Sequence, residues 1–183
     1  RASDQEHFLT RERTKELFRD VFRLGRGKGW RFTQSSLFLD FLAGNQSYRC
    51  TPWSNPTRNV FGWQRPCYLL NEGTAPSYSA LMQETEWDRY GTGNYEKCAN
   101  CMVHCGYEGT AVDDSVARPW KALLVALRGI KTDGKMAPEI PLTHQRPADF
   151  VFEKLVAQAI QHAPKKPSAR GEKLAVDETH HAH

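Results

Sequence analysis

Three cysteines fall within eight residues at Cys98-Ala-Asn-Cys101-Met-Val-His-Cys105, inside a stretch from Trp87 to Gly109 with glycines at 91, 93, 106 and 109. A loop of that length buries little of itself and needs something to order it. Two residues between Cys98 and Cys101 let both sulfurs reach one metal centre from a turn. Three more residues bring Cys105 within reach as the chain enters a helix. Upstream, Cys50 and Cys67 have sixteen residues between them and bracket a predicted hairpin. Thiolates are soft ligands that select zinc, cuprous copper or iron–sulfur clusters over hard cations. Two cysteines from the hairpin and two from the knuckle make four, the usual number for a cluster. Five compete for four places, so spacing leaves zinc and iron–sulfur both open. Cys50 or Cys67 taken singly also suits a small buried hydrophobe. His104 reads as a neighbour of ligands or a surface residue rather than a ligand.

An odd cysteine count argues against a closed set of disulfides. No secretory pattern is visible, so reduced thiols in a cytoplasmic protein are expected. The chain starts at Arg1 rather than Met, and we expect it to be the rear part of a longer protein. Hydrophobic residues at 39% and charged residues at 25% are globular proportions. Lys+Arg 25 against Asp+Glu 21 leaves +4. That surplus sits in short runs such as Arg11–Arg13 and Lys165–Lys166, which draws no nucleic-acid stripe, and no nucleic acid is expected as partner. No apolar run approaches the roughly 20 residues that span a bilayer.

Thr10 to Leu24 predicts a helix: Thr10 caps it, Glu12 favours the first turn, and Leu17, Phe18, Val21 and Phe22 form an apolar stripe. Gly25 occupies the expected left-handed position after it, and Gly25–Gly29 reads as a stop and turn. Trp30–Ser35 alternates like a short strand. Ser36–Leu42 is apolar almost all round, a buried helix ended by Gly44, serving either as core or as the wall of an apolar cavity. Tyr48–Thr51 and Val60–Trp63 read as hairpin arms about Asn55-Pro56, with Cys67–Leu70 continuing the sheet. Ser77 caps a short helix to Thr85. Pro119 opens another, with Trp120, Leu123, Leu124 and Leu127 on one face and Gly129 beyond it. Phe152, Leu155, Val156, Ala159 and Ile160 make an amphipathic helix, and the chain after His162 is too polar to bury anything. Glu84, Glu86 and Asp88, like Asp113 and Asp114, read as solvated acids, and His180, His181 and His183 as tail.

Longer motifs carry a family likeness. Cys50, eleven residues, Gly62, four residues, Cys67, followed by Cys98-x-x-Cys101, resembles the auxiliary-cluster extensions of radical S-adenosylmethionine (radical SAM) enzymes, of twitch or SPASM type. Ser35–Gly44, Asn55–Leu70, Tyr90-Gly-Thr-Gly93 and Cys98–Tyr107 resemble the C-terminal half of the hopanoid-biosynthesis radical SAM enzymes, the adenosylhopane synthases. The likeness runs from about residue 5 to about residue 140. It implies an enzyme that adds a 5′-deoxyadenosyl radical to the hopene diploptene. Cys50, Cys67, Cys98 and Cys101 would hold an auxiliary 4Fe–4S cluster, with Cys105 an alternative ligand.

S-adenosylmethionine and a second 4Fe–4S cluster would belong to a missing N-terminal part. That family's radical-generating motif spaces its cysteines by three and then two residues. Here the order is two and then three, so Cys98–Cys105 is not that site and no catalytic or S-adenosylmethionine-binding residue is assigned. Expected partners are the apolar hopene and a reductant such as a flavodoxin or ferredoxin, with peripheral membrane association as a route to the lipid.

The expected fold is α+β. Residues 1–45 would end a partial α/β barrel, 46–146 form the cysteine-rich hairpin and loop region, 147–162 the amphipathic helix, and 163–183 a disordered tail. Apolar surface around Leu37, Phe38 and Phe41 is expected to lie open, waiting for the missing barrel half. Two readings from other classes stay beside this one. A zinc-stapled module would dock Leu37–Leu42 or the Trp120–Ile130 helix on a partner; a plain structural domain would keep all five thiols free.

Overall fold

A computed structural model describes residues 9–143. The amphipathic helix and tail expected beyond Pro147 lie outside the described residues. Among the described residues the architecture is α+β, with helices α1 (Arg11–Gly25), α2 (Ser36–Leu42), α3 (Tyr78–Glu84), α4 (His104–Ala117) and α5 (Pro119–Arg128). A small antiparallel sheet is formed by β1 (Arg58–Asn59), β2 (Gly62–Gln64) and β3 (Thr74–Ala75), in that order. No helix among the described residues is long and apolar enough to cross a membrane.

Helix starts follow the local chemistry. The hydroxyls of Thr10, Ser35 and Ser77 accept from the backbone N–H three residues on, capping α1, α2 and α3. Pro119 opens α5 and Gly129, at φ 78°, closes it. Gly25 is the last residue of α1, and the left-handed positions fall instead at Gly27 and Gly29 within the turn.

The buried face of α1 differs from the apolar stripe expected of it. Arg11, Lys15, Arg19 and Phe22 are buried, whereas Leu17 is exposed. Long basic side chains bury their hydrocarbon stems while their heads find partners. Arg19 donates from Nε to the Ala43 carbonyl (2.8 Å) and from Nη1 to that of Gly134 (2.8 Å). Lys15 and Arg11 both pair with Glu139, Arg11 Nε at 2.9 Å. Glu139 belongs to an extended segment, residues 131–143, that straps α1 to the rest. Its Ala137 N–H bonds the Gly44 carbonyl (2.8 Å) and its Thr143 N–H that of Gly93 (2.8 Å).

α2 sits at the centre of the core. Leu37, Phe38, Phe41 and Leu42 pack with Tyr48, Met102, Tyr107 and Val125. The Phe41 ring stacks on Tyr107 with centroids 4.7 Å apart. Leu37 and Phe41 are fully buried and Phe38 nearly so, which overturns the expectation that these residues lie open for a missing half. Two acids are buried among them, and each is satisfied, as a buried charge must be. Asp40 accepts from the Asn45 and Gln46 amides at 2.8 and 2.7 Å. Asp114, expected to be solvated, accepts from the Tyr48 hydroxyl (2.7 Å) and pairs with Lys121 and Arg118.

Two further expectations are corrected, on Trp30–Ser35 and on the hairpin. Trp30–Ser35 forms no strand, because no second strand runs beside it to complete a ladder. The hairpin is Arg58–Gln64, turning at Val60-Phe61. Its third strand is Thr74–Ala75, while Tyr48–Thr51 runs against α4 and Cys67–Leu70 forms a turn. The α5 stripe faces outward: Trp120, Leu123, Leu124 and Leu127 are exposed, and Val125 is the residue of α5 that is buried.

Candidate metal centre

The chain brings all five cysteines, Cys50, Cys67, Cys98, Cys101 and Cys105, to one small, largely enclosed cavity of about 30 Å³. Each arrives from a different local structure. Cys50 ends an extended run held to the start of α4: Thr51 N–H bonds the Gly106 carbonyl (2.6 Å), and the Thr110 hydroxyl donates to the Arg49 carbonyl (2.9 Å). A Cβ on Gly106 would collide with the Cys50 sulfur, and one on Gly91 would come within 3.2 Å of its Cβ. Two glycines therefore make the slot that admits Cys50. Gly106 lies in the first turn of α4, not in the loop that its composition suggests.

Cys67 opens the turn after β2, where Asn71 N–H bonds the Cys67 carbonyl at 3.0 Å. Cys98 ends a single 3-10 turn, Glu96–Cys98. Cys101 N–H then bonds the Cys98 carbonyl (3.2 Å), and Cys105 is the second residue of α4. The knuckle is clamped from outside. Arg11 donates from Nη1 to the Cys101 carbonyl (2.5 Å) and the Thr92 hydroxyl to that of Cys98 (3.4 Å).

Burial pushes all five thiols above their ordinary range, Cys105 to about 12. The other four sulfurs add to the effect at Cys50. Against burial, the backbone N–H groups of Leu70 and Leu69 favour the Cys67 thiolate, that of Gly91 the Cys98 thiolate, that of Val103 the Cys101 thiolate, and that of Cys105 its own. The Tyr68 hydroxyl also reaches Cys105. Donors aimed at sulfur stabilise thiolate rather than thiol, and hydrogen bonds of this kind tune iron–sulfur centres.

Among the described residues, no three His, Cys, Asp or Glu side chains are gathered as ligands of one metal ion. Tetrahedral zinc would draw its sulfurs to about 4 Å from one another. A four-iron cluster needs its thiolates around a volume, one for each iron. Five soft donors lining one enclosed space suit the second demand. His104 is exposed and away from this cavity.

Sequence reasoning missed the company of the cysteines. Lys97 and Tyr90 line the cavity, Tyr107 closes one side, and Arg11 acts on Cys101 from α1. The signal available was adjacency: Tyr68 follows Cys67 and Lys97 precedes Cys98. Arg11 carried none, being distant in sequence.

A second, open groove of about 500 Å³ is lined in part by Asn100 and Met102–His104, which alternate in sequence with Cys101 and Cys105 of the centre. Phe18, Phe38, Leu39 and Leu42 line one side, and Asn100 with Met102–His104 the other. Phe38 and Leu42, core residues of α2, border this groove together with Leu39, whereas Leu37 and Phe41 are fully buried.

Comparison with curated proteins and with solved structures returns no match. A family model described as a domain of unknown function, DUF3463, matches residues 1–125, more than half of the 183-residue chain, and the chain belongs to that family.

Proposed function

We propose that the chain is the C-terminal part of a cytoplasmic radical SAM enzyme of hopanoid synthesis, one that adds a 5′-deoxyadenosyl radical to a hopene. In this reading Cys50, Cys67, Cys98 and Cys101 hold an auxiliary 4Fe–4S cluster and Cys105 is the alternative fourth ligand. The observation that carries it is the meeting of all five thiols at one enclosed cavity. Such a cluster supplies one-electron chemistry, at a potential set by its burial and hydrogen bonds.

The chain's own residues supply the rest. The turns at Cys67–Leu70 and Glu96–Cys101 fix the sulfurs, the strap over α1 closes the outside, and the groove along Phe18, Phe38, Leu39 and Met102 offers an apolar substrate a surface beside the centre. S-adenosylmethionine and the radical-generating cluster would be supplied by a preceding part of a longer protein, and the electron by a flavodoxin or ferredoxin.

The test is the longer protein bearing this chain, reduced and supplied with S-adenosylmethionine and diploptene. Adenosylhopane is the expected product, and Cys98→Ala with Cys101→Ala is expected to lower both iron content and turnover. Full turnover with normal iron in that double variant contradicts the cluster; absence of any adenosylated hopene from the unaltered protein contradicts the activity.

A further inference from the structure

One buried acid stands beside the cysteines without serving the helical core. Glu72, 8% exposed, follows the Cys67 turn. Its Oε1 accepts from the Tyr95 hydroxyl (2.5 Å) and from Lys97 Nζ (3.3 Å), while its Oε2 is buried with no hydrogen-bond partner. Tyr95 packs in one cluster with Cys98, Leu70, Cys67 and Tyr90, so its hydroxyl ties the Glu72 carboxylate to the residues around two of the five cysteines. Its charge acts through space on Cys67 and on Cys98. Lys97, which neutralises it, is also a wall residue of the cysteine cavity.

The electrostatics of such a place are specific. Four thiolates make a bound cluster net negative, and each reduction adds a further negative charge inside a poorly screened space. A carboxylate that acts on two ligands opposes that added charge and a neighbouring ammonium favours it. A second cation, Arg11, acts on Cys101 and is fixed by the Cys101 carbonyl and by Glu139. The Glu72–Lys97 pair is therefore the adjustable charge beside Cys67 and Cys98.

We propose that Glu72 and Lys97 are positioning residues that set the reduction potential of the cluster, Glu72 lowering it and Lys97 raising it. The proposal rests on the reading that the cysteines hold a 4Fe–4S cluster. The step concerned is the transfer of one electron from an external donor to the oxidised cluster, with no bond made or broken in the protein.

The test is a potential measurement on the anaerobically reconstituted chain. Dithionite and mediators poise it, electron paramagnetic resonance reads the reduced fraction, and iron and sulfide are assayed in parallel. Glu72→Gln, which keeps an acceptor for Tyr95, is expected to shift the midpoint upward, and Lys97→Met to shift it downward. Lys97→Arg should restore the unaltered value, which a loss of packing would not allow. All three should carry the same iron and sulfide as the unaltered chain. Full cluster with an unmoved midpoint in Glu72→Gln and Lys97→Met, or shifts of the same sign, overturns the proposal alone. If Glu72→Gln fails to take up a cluster, Lys97→Met and Lys97→Arg decide. An unaltered chain that takes up no cluster overturns the reading of the cysteines, and this proposal with it.

Discussion

Gly106→Ala separates the fold described here from a helix judged by its sequence alone. Gly106 has helical backbone in α4, where alanine is ordinarily better than glycine by up to about 1 kcal/mol. The Cβ it would add has no free space: the Cys50 sulfur occupies that position, while the Cys50 Cβ stands at an ordinary 3.6 Å. Forcing a methyl into a packed site costs about 1–3 kcal/mol. The net expectation is a loss of about 0–2 kcal/mol in place of a gain. Shortening the obstructing side chain reverses the sign, so in a Cys50→Ala background Gly106→Ala should stabilise by up to about 1 kcal/mol. The coupling read from the double-mutant cycle is then about 1–3 kcal/mol. Urea unfolding of the metal-free, reduced chain measures it, since metal binding would otherwise contribute through mass action. A Gly106→Ala variant that gains about 1 kcal/mol in both backgrounds, with no coupling, would refute the placement of Cys50 against α4.

The remaining expectations concern the strap and the helical faces. Burial works against the Glu139 carboxylate, but the bonds from Lys15 and Arg11 outweigh it and hold its pKa below the usual range. Its contribution is thus present above the unfolded carboxylate value, about 4.3, and is lost as pH falls through the lower folded value. Glu139→Gln should lower stability at neutral pH and flatten its decline in acid, and a pH series of urea midpoints that keeps the unaltered shape contradicts this. Leu37→Ala, at a fully buried site, should cost about 2–5 kcal/mol, and Leu127→Ala, on the open face of α5, no more than about 0.5 kcal/mol. Equal costs by thermal unfolding would contradict the burial of α2 and the exposure of this face of α5.

Where local chemistry decides, the residues are legible. Thr10, Ser77, Pro119 and Gly129 bound α1, α3 and α5 as their side chains and backbone freedom require. Where a remote partner decides, they are not. The stripe Leu17, Phe18, Val21 and Phe22 does not mark Arg11, Lys15 and Arg19 as buried, because Glu139 and the Ala43 and Gly134 carbonyls that receive them come from elsewhere in the chain. Trp30–Ser35 has the alternation of a strand but no neighbour to pair with. The entry into a helix at Cys105 is legible, but the extent of α4 to Ala117 is not, because Gly106 and Gly109 suggest a loop. In the fold they are small because the helix passes close to Cys50 and to Ser54.

The cysteines themselves were legible because metal ligation imposes spacing on the sequence. Lys97 is marked by its adjacency to Cys98, whereas Glu72 and Arg11 impose no spacing, since their contribution depends on charge and distance in space.

Iron, sulfide and zinc content of the anaerobically purified and reconstituted chain, read beside its visible spectrum, tests the central claim most directly. The account predicts about four irons and four sulfides per chain, the complement of a cubane held by four thiolates. Most of both should be lost in Cys98→Ala with Cys101→Ala. One zinc with no sulfide, retained through the same reconstitution, would contradict it and make the knuckle a structural staple.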